Sequence, residues 1–177
     1  LLSQQLLATG QVLFNGVDLT TLNNKEMQSI RGAQIGMIFQ EPMTSLNPVL
    51  TVGYQIGEVL GAHKGLKGEA LALKVGQLLT QVGISADRAN SYPDELSGGQ
   101  RQRVMVAMSI ACEPALLIAD EPTTALDVTV QAQILTLLDE LKNRMHMAML
   151  FITHDFGVVS DIADDVIVMF RGEVVEA

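Results

Sequence analysis

The sequence predicts an α/β chain in which a parallel sheet is interrupted by an all-helical stretch. Three apolar runs of strand length, "IGMIFQ" (35–40), "ALLIAD" (115–120) and "AMLFIT" (148–153), lack polar alternation, as strands buried on both faces of a parallel sheet do. The last two are separated by a segment of helical period, the strand–helix–strand order of a parallel crossover. Residues between 53 and 111 carry helical patterns and no strand signal. With 177 residues, 48% of them hydrophobic, the chain is long enough for one domain with its own core.

Taken in order, "QVLFNGVDL" reads as two short strands about the turn dipeptide Asn15-Gly16. "NNKEMQSIRG" follows as a short polar helix closing at Gly32. After the strand "IGMIFQ", the segment "EPMTSLNP" has two prolines and no period, so it is a loop emerging at Gln40. Helices are predicted over 53–61 and 69–82, with Ala70, Leu73, Gln77, Leu78 and Val82 on one side of the second. Glycines 53, 57 and 61 recur every four residues, but Gln55 and Glu58 among them argue for a soluble helix rather than a membrane one.

In "LSGGQRQRVMVAMSI" (96–110), Ser97 and Gln100 fit a capping box, and Val104, Ala107, Met108 and Ala111 recur at helical spacing. The unpaired N–H groups and positive dipole at such a helix start attract an anion, and Gly98 and Gly99 allow a ligand close to the backbone. An ordinary capped helix is the competing reading of that stretch alone. Asp127 is placed to cap a long helix with the stripe Val130, Ile134, Leu137, Leu138 and Leu141. "AMLFIT" then ends at His154, a short helix follows, and "VIVMF", Arg171-Gly172 and "EVVEA" form a closing hairpin.

Composition narrows the function classes. A net charge of −9 with only 11 Lys and Arg argues against a nucleic-acid surface. No apolar run approaches the roughly 18 residues of a membrane span, and "LLSQQLLATG" lacks the basic flank of a signal peptide, so a soluble chain is expected. The single Cys112 excludes an internal disulfide and reads as a small core residue in a reducing compartment. His63 and His146 match no motif and read as surface residues.

In open parallel sheets ligands bind beyond the carboxyl ends of the strands, where Gln40, Asp120, Glu121 and His154 all fall. A carboxylate pair there suits Mg²⁺ and water: Asp120 to hold the metal directly or through its waters, Glu121 to take a proton from an attacking water.

These residues carry a resemblance to the ATP-hydrolysing subunits of ATP-binding cassette (ABC) transporters, and in particular to the importers of peptides, nickel and glutathione. It rests on the Q-loop in "MIFQEPMTSLNP", the signature "LSGGQRQRV", the Walker B strand "LLIADEP", the D-loop "TALD" and the switch histidine in "FITHD", and it covers nearly the whole chain. The fold it implies is that of a P-loop NTPase: a partial RecA-like core over 1–52 and 112–177, with a helical subdomain and signature helix over 53–111. It implies ATP and Mg²⁺, with Gln40 sensing the metal and attacking water, Asp120 supporting Mg²⁺, Glu121 as base and His154 at the γ-phosphate. Ser97, Gly98, Gly99 and Gln100 would hold the γ-phosphate of an ATP bound mainly to a second cassette packed head to tail, and Asp127 would couple the two sites.

The other partners so implied are membrane permease subunits, at the cytoplasmic face of the membrane and with no nucleic acid. Met43, Leu46 and Leu50 are expected to line part of the groove that receives the permease's coupling helix. A complete nucleotide site also needs G-x-x-x-x-G-K-[ST], and no Gly-Lys dipeptide occurs among these residues. The family's order of motifs places Leu1 near the end of the helix after that loop, implying a truncated chain that alone neither binds ATP tightly nor hydrolyses it. Two alternatives stand beside this reading. One is a module supplying only its signature face to an intact cassette; the other, disfavoured by the short spacing from Gln40 to Ser97, is an ABC ATPase of the DNA-repair type.

Overall fold

A computed structural model describes residues 9–40, 45–124 and 126–177, the side chains of Phe156, Ser160 and Asp161 excepted. The chain opens with a two-residue hairpin, β1 (Leu13–Phe14) and β2 (Val17–Asp18). Asn15 and Gly16 both take positive φ (49° and 80°), the conformation that a type I′ turn requires of an Asn-Gly pair. Helix α1 (Asn24–Ile30) begins at a capping box in which Asn23 accepts from Lys25 and Glu26 N–H while Glu26 returns to Asn23 N–H. It stops at Arg31, before Gly32 at φ 75°.

The central sheet is three-stranded and parallel, in the order β3 (Ile35–Ile38), β4 (Leu116–Asp120), β5 (Ala148–Ile152). Ile38 pairs with Ala119 and Ala119 with Phe151, so the three carboxyl ends lie side by side. One face, carrying Ile38, Leu117 and Ala119, is buried in the main core. Gly36 is obligatory there, because a Cβ on it would collide with the carbonyl oxygen of Ser109.

Between β3 and β4 lie helices α2 (Val52–Lys64), α3 (Gly68–Gln81) and α4 (Gly98–Ile110). Thr51 caps α2, and the buried Gln55 satisfies its amide on Asn47 and Leu50, which pins the preceding loop to the helix. Helix α4 is buried nearly all round, with Val104, Val106, Ala107 and Ile110 at 0% exposure. Helix α5 (Val128–Met145) buries Ile134, Leu137, Leu138 and Leu141, the expected stripe, and ends on His146 at φ 52°. The short helix α6 (Phe156–Ile162) and a hairpin of β6 (Val168–Phe170) and β7 (Glu173–Glu176) close the chain.

Several expectations are corrected. Strands β3 and β5 are not buried on both faces: Met37, Leu150 and Ile152, on the face opposite Leu117, remain 38–51% exposed. An unbroken apolar run signals that both faces are apolar, not that both are covered. In α3 the buried face is Val75, Leu78, Leu79 and Val82 with Leu71 packed on it, and Leu73 is 65% exposed. A helix turns about 100° per residue, so Leu73 stands about 160° around the axis from Leu71, nearly on the opposite side. Leu46 is 4% exposed and belongs to the core rather than to a groove, Leu50 is half-buried, and Met43 lies outside the described residues, as does Leu1. Cys112 is buried, and burial pushes its thiol pKa up; His63 and His146 are exposed.

Candidate active site

Two residues past β3, one past β4 and two past β5, the chain brings Gln40, Glu121 and His154 together. Gln40 Nε2 donates to Glu121 Oε2 at 3.1 Å, and His154 Nδ1 lies 3.0 Å from Glu121 Oε1. A carboxylate only accepts, so that contact fixes the imidazole tautomer with its proton on Nδ1. Thr124, which sequence reasoning passed over, donates its hydroxyl to Glu121 Oε2 at 2.8 Å. Its signal was available: a hydroxyl three residues after the carboxylate within one turn.

The backbone holds Glu121 in place. Its N–H donates to Ile152 O, extending the β4–β5 ladder one residue beyond Asp120, and its carbonyl accepts from Thr124 N–H. Between these bonds Glu121 takes φ 44°, a left-handed conformation that costs a non-glycine residue about 1–2 kcal/mol. The Glu121 side chain is 23% exposed and that of His154 is 80% exposed. The Thr124 hydroxyl, then the His154 imidazole, hold the Glu121 carboxyl below the usual glutamate range; partial burial works against them, and Gln40 adds to the lowering. Asp120, half-buried, ends β4 directly before this cluster.

Ser97 caps α4 as expected, its Oγ accepting from Gln100 N–H and its N–H donating to Gln100 Oε1. Ser97 and Gly98 are exposed, and the Ser97 hydroxyl bonds Gln100 N–H in its own capping box, apart from the Glu121 cluster. Gly99 has an internal reason to lack a side chain: a Cβ there would lie 2.6 Å from Val130 Cγ1. Asp127 caps α5, accepting from Val130 N–H at 3.0 Å. Gln131 Nε2 reaches Asp155 Oδ2 at 3.4 Å, tying α5 to the turn after His154.

Mg²⁺ takes hard oxygen donors, one or two carboxylates completed by phosphate and water. The Asp120 carboxylate suits that pattern, as does Gln40, which commits its nitrogen to Glu121 and has its amide oxygen as the remaining donor atom.

The ABC transporter family model matches residues 1–124. The oligopeptide transport ATP-binding protein OppD of Bacillus subtilis is 55% identical over 169 residues, 94% of this chain and 47% of that protein. The dipeptide transport ATP-binding protein DppD of the same organism is 52% identical over 169 residues, 94% of this chain and 50% of its own length. The glutathione import ATP-binding protein GsiA of Salmonella typhimurium is 56% identical over 162 residues, 90% of this chain and 26% of its own. The chain thus spans half or less of the length of these curated relatives. Among solved structures it matches the ATP-binding cassette MJ0796, described as a dimer in a post-hydrolysis state bound to ADP and Pi, at TM-score 0.83 and 30% identity, over 95% of this chain and 72% of that one. The expected P-loop NTPase fold is therefore the observed one.

Proposed function

The chain belongs to the ABC transporter family of ATP-binding domains, and on that premise we propose that it is ATPase machinery of an importer for peptides or similar small solutes, with Glu121 as the base that orients the attacking water. The observation that carries this reading is the set of three hydrogen bonds on one carboxylate. A carboxylate offers about four acceptor sites, two per oxygen. Gln40 and Thr124 fill both on Oε2 and His154 fills one on Oε1, which leaves one place on Oε1, beside the imidazole, for a water. The depressed pKa keeps Glu121 ionised at neutral pH, ready to accept that water's hydrogen bond. Phosphoryl transfer through a loose transition state asks mainly for a positioned water and neutralised charge, so a weakly basic but well-held carboxylate is adequate.

Asp120 and the Gln40 amide oxygen would hold Mg²⁺, which supplies charge neutralisation on the phosphate oxygens. His154, mostly exposed, would reach the γ-phosphate. The α4 start, exposed at Ser97 and Gly98 and half-buried at Gly99 and Gln100, would present its N–H groups to the γ-phosphate of an ATP held by a second cassette, with Asp127 at the joint between the two sites. On this reading 53–111 is a helical subdomain between two parts of a RecA-like core, and it meets permease subunits at the cytoplasmic face of a membrane. Leu50 would take part in that contact, with the exposed Val49 and Tyr54 in place of the buried Leu46.

The 177-residue polypeptide by itself is expected to bind ATP weakly, since charge-assisted bonds contribute about 1.5–3 kcal/mol each and losing several costs about a thousandfold or more in affinity. The test is nucleotide binding and Mg²⁺-dependent hydrolysis by this polypeptide beside a longer one that includes G-x-x-x-x-G-K-[ST], each also as Glu121→Gln. Turnover only by the longer chain, with its Gln variant binding but not hydrolysing, is the expected result. Parental turnover by Glu121→Gln would remove Glu121 as base, and tight binding by the short chain would show that the phosphates sit elsewhere.

A further inference from the structure

We propose that Gln102 is a positioning residue whose side chain ties the helix headed by Ser97 to the loop that holds Glu121, so that the two move as one body. The inference rests on the reading of Glu121 as base and adds to it a residue that no motif reading singled out. Gln102 is 1% exposed, one of only three buried polar side chains among the described residues. Its Nε2 donates to the carbonyl oxygen of Pro122, the residue directly after Glu121. Pro122 is itself buried, and the same short loop turns back through Thr124, whose N–H and hydroxyl both bind Glu121. One hydrogen bond from α4 therefore anchors the peptide on which the left-handed Glu121 conformation and its Thr124 contact depend.

The other end of that amide sharpens the point. Among the described residues, the buried Gln102 Oε1 has no hydrogen-bond partner. A half-satisfied buried amide is costly, and a methionine of similar length would fill the same space without leaving an orphaned acceptor. Packing alone gives no reason for glutamine here, whereas a donor aimed at the Pro122 carbonyl does. A second set of contacts runs the same way. Gly98 packs near Leu126 and Gly99 closely against Val130, so the first turn of α4 rests on the far end of the same loop and on the first turn of α5. Ser97 and Gln102 are five residues apart, about 7.5 Å along the helix axis. An anion pulling on the exposed start of α4 would thus be felt at Pro122 through a rigid lever, and from there at the Glu121 carboxylate.

The experiment uses the full-length ATPase and compares Gln102→Met, Gln102→Glu, Thr124→Val, the double variant Gln102→Met/Thr124→Val, and Glu121→Gln. Gln102→Met is expected to lower kcat about tenfold while KM and ATP affinity stay within about twofold, as misplacing a catalytic group does. In the Thr124→Val background the same change is expected to cost little more, because both act through one carboxylate. In Gln102→Glu the buried carboxyl stays neutral at low pH and its O–H donates to Pro122, so kcat relative to the parent is high near pH 6 and falls toward pH 9. Parental kcat in Gln102→Met would overturn the proposal. So would a loss of kcat, ATP affinity and melting temperature together, or full additivity with Thr124→Val. Should Gln102→Met not fold, a pH-independent ratio for Gln102→Glu would overturn it. Glu121→Gln at parental turnover would instead refute the base reading, and an inactive Glu121→Gln beside an unaffected Gln102→Met would refute the link alone.

Discussion

Replacing Gly99 by alanine separates two reasons for a glycine at the start of α4. If the position serves only the approach of a ligand, alanine should leave the fold intact or firm it, since Gly→Ala in a helix gains about 0.5–1 kcal/mol. The structure gives a different sum. The new Cβ would lie 2.6 Å from Val130 Cγ1, well inside the roughly 3.5–4.0 Å of carbon–carbon contact. Val130 cannot swing away freely, because a β-branched residue in a helix has one strongly preferred rotamer. Its backbone is also pinned by the Asp127 cap. Overpacking of this kind costs about 1–3 kcal/mol, so the net expectation is destabilisation by about 0.5–2 kcal/mol. Gly98→Ala is the internal control, for its Cβ would meet Leu126 Cδ2 at an ordinary 3.7 Å and should not destabilise. Urea unfolding followed by far-UV circular dichroism, with Val130→Ala added in each background, reads the difference. Val130→Ala should relieve Gly99→Ala and not Gly98→Ala; equal stability of Gly99→Ala and the parent, or no coupling to Val130, would refute the packing argument. Loss of turnover in Gly98→Ala at unchanged stability would in turn mark that position as the one a ligand approaches.

Three further outcomes are expected. The Glu121 carboxyl titrates below the ordinary glutamate range, so its bonds stabilise the fold above that range and the contribution is lost as pH falls through the depressed folded value. Carbon-13 NMR should follow this, with Thr124→Val moving the midpoint upward; an unmoved midpoint would exclude Thr124 as the main cause. His146→Gly at the left-handed end of α5 should raise stability by about 0.5–1 kcal/mol in thermal unfolding, as glycine relieves the positive φ at some cost in chain entropy. Cys112, with its thiol pKa raised by burial, should react with iodoacetamide slowly in the native chain and readily once unfolded, and fast native labelling would contradict its burial.

What the sequence made legible were features written within a few residues. The caps at Ser97 and Asp127 are closed by partners three positions away, and the Asn15-Gly16 and Arg171-Gly172 turns by positive φ at neighbouring residues. The convergence of Gln40, Glu121 and His154 was legible too, because parallel strands put their carboxyl ends at one edge and each residue stands just past a strand. What was not legible depends on which surface meets which. The runs around Leu150 and Met37 are apolar on both faces, and nothing in an unbroken run says which face is covered. In α3, Leu71 and Leu73 are equally good hydrophobes, and only contact with the core chooses between them.

The same distinction accounts for two contacts that the sequence did not announce. Gly99 reads as room for a ligand, and its packing against Val130 goes unseen because that neighbour is 31 positions away in sequence and one side chain away in space. Gln102 read as one more residue of a motif, although its amide is buried and bonded to the loop after Glu121. A motif fixes the spacing of groups that touch a ligand, and those groups are exposed. The residues that transmit between them face inward, where composition records only that a side chain is polar. A buried polar side chain on a helix that carries a binding motif is therefore the place to look for mechanical linkage, because its bond had to be strong enough in context to offset its desolvation. In this chain that criterion selects Gln102 on α4, ahead of Ser109, whose hydroxyl donates to Val106 O within the same helix, and of the half-buried Arg101 and Arg103.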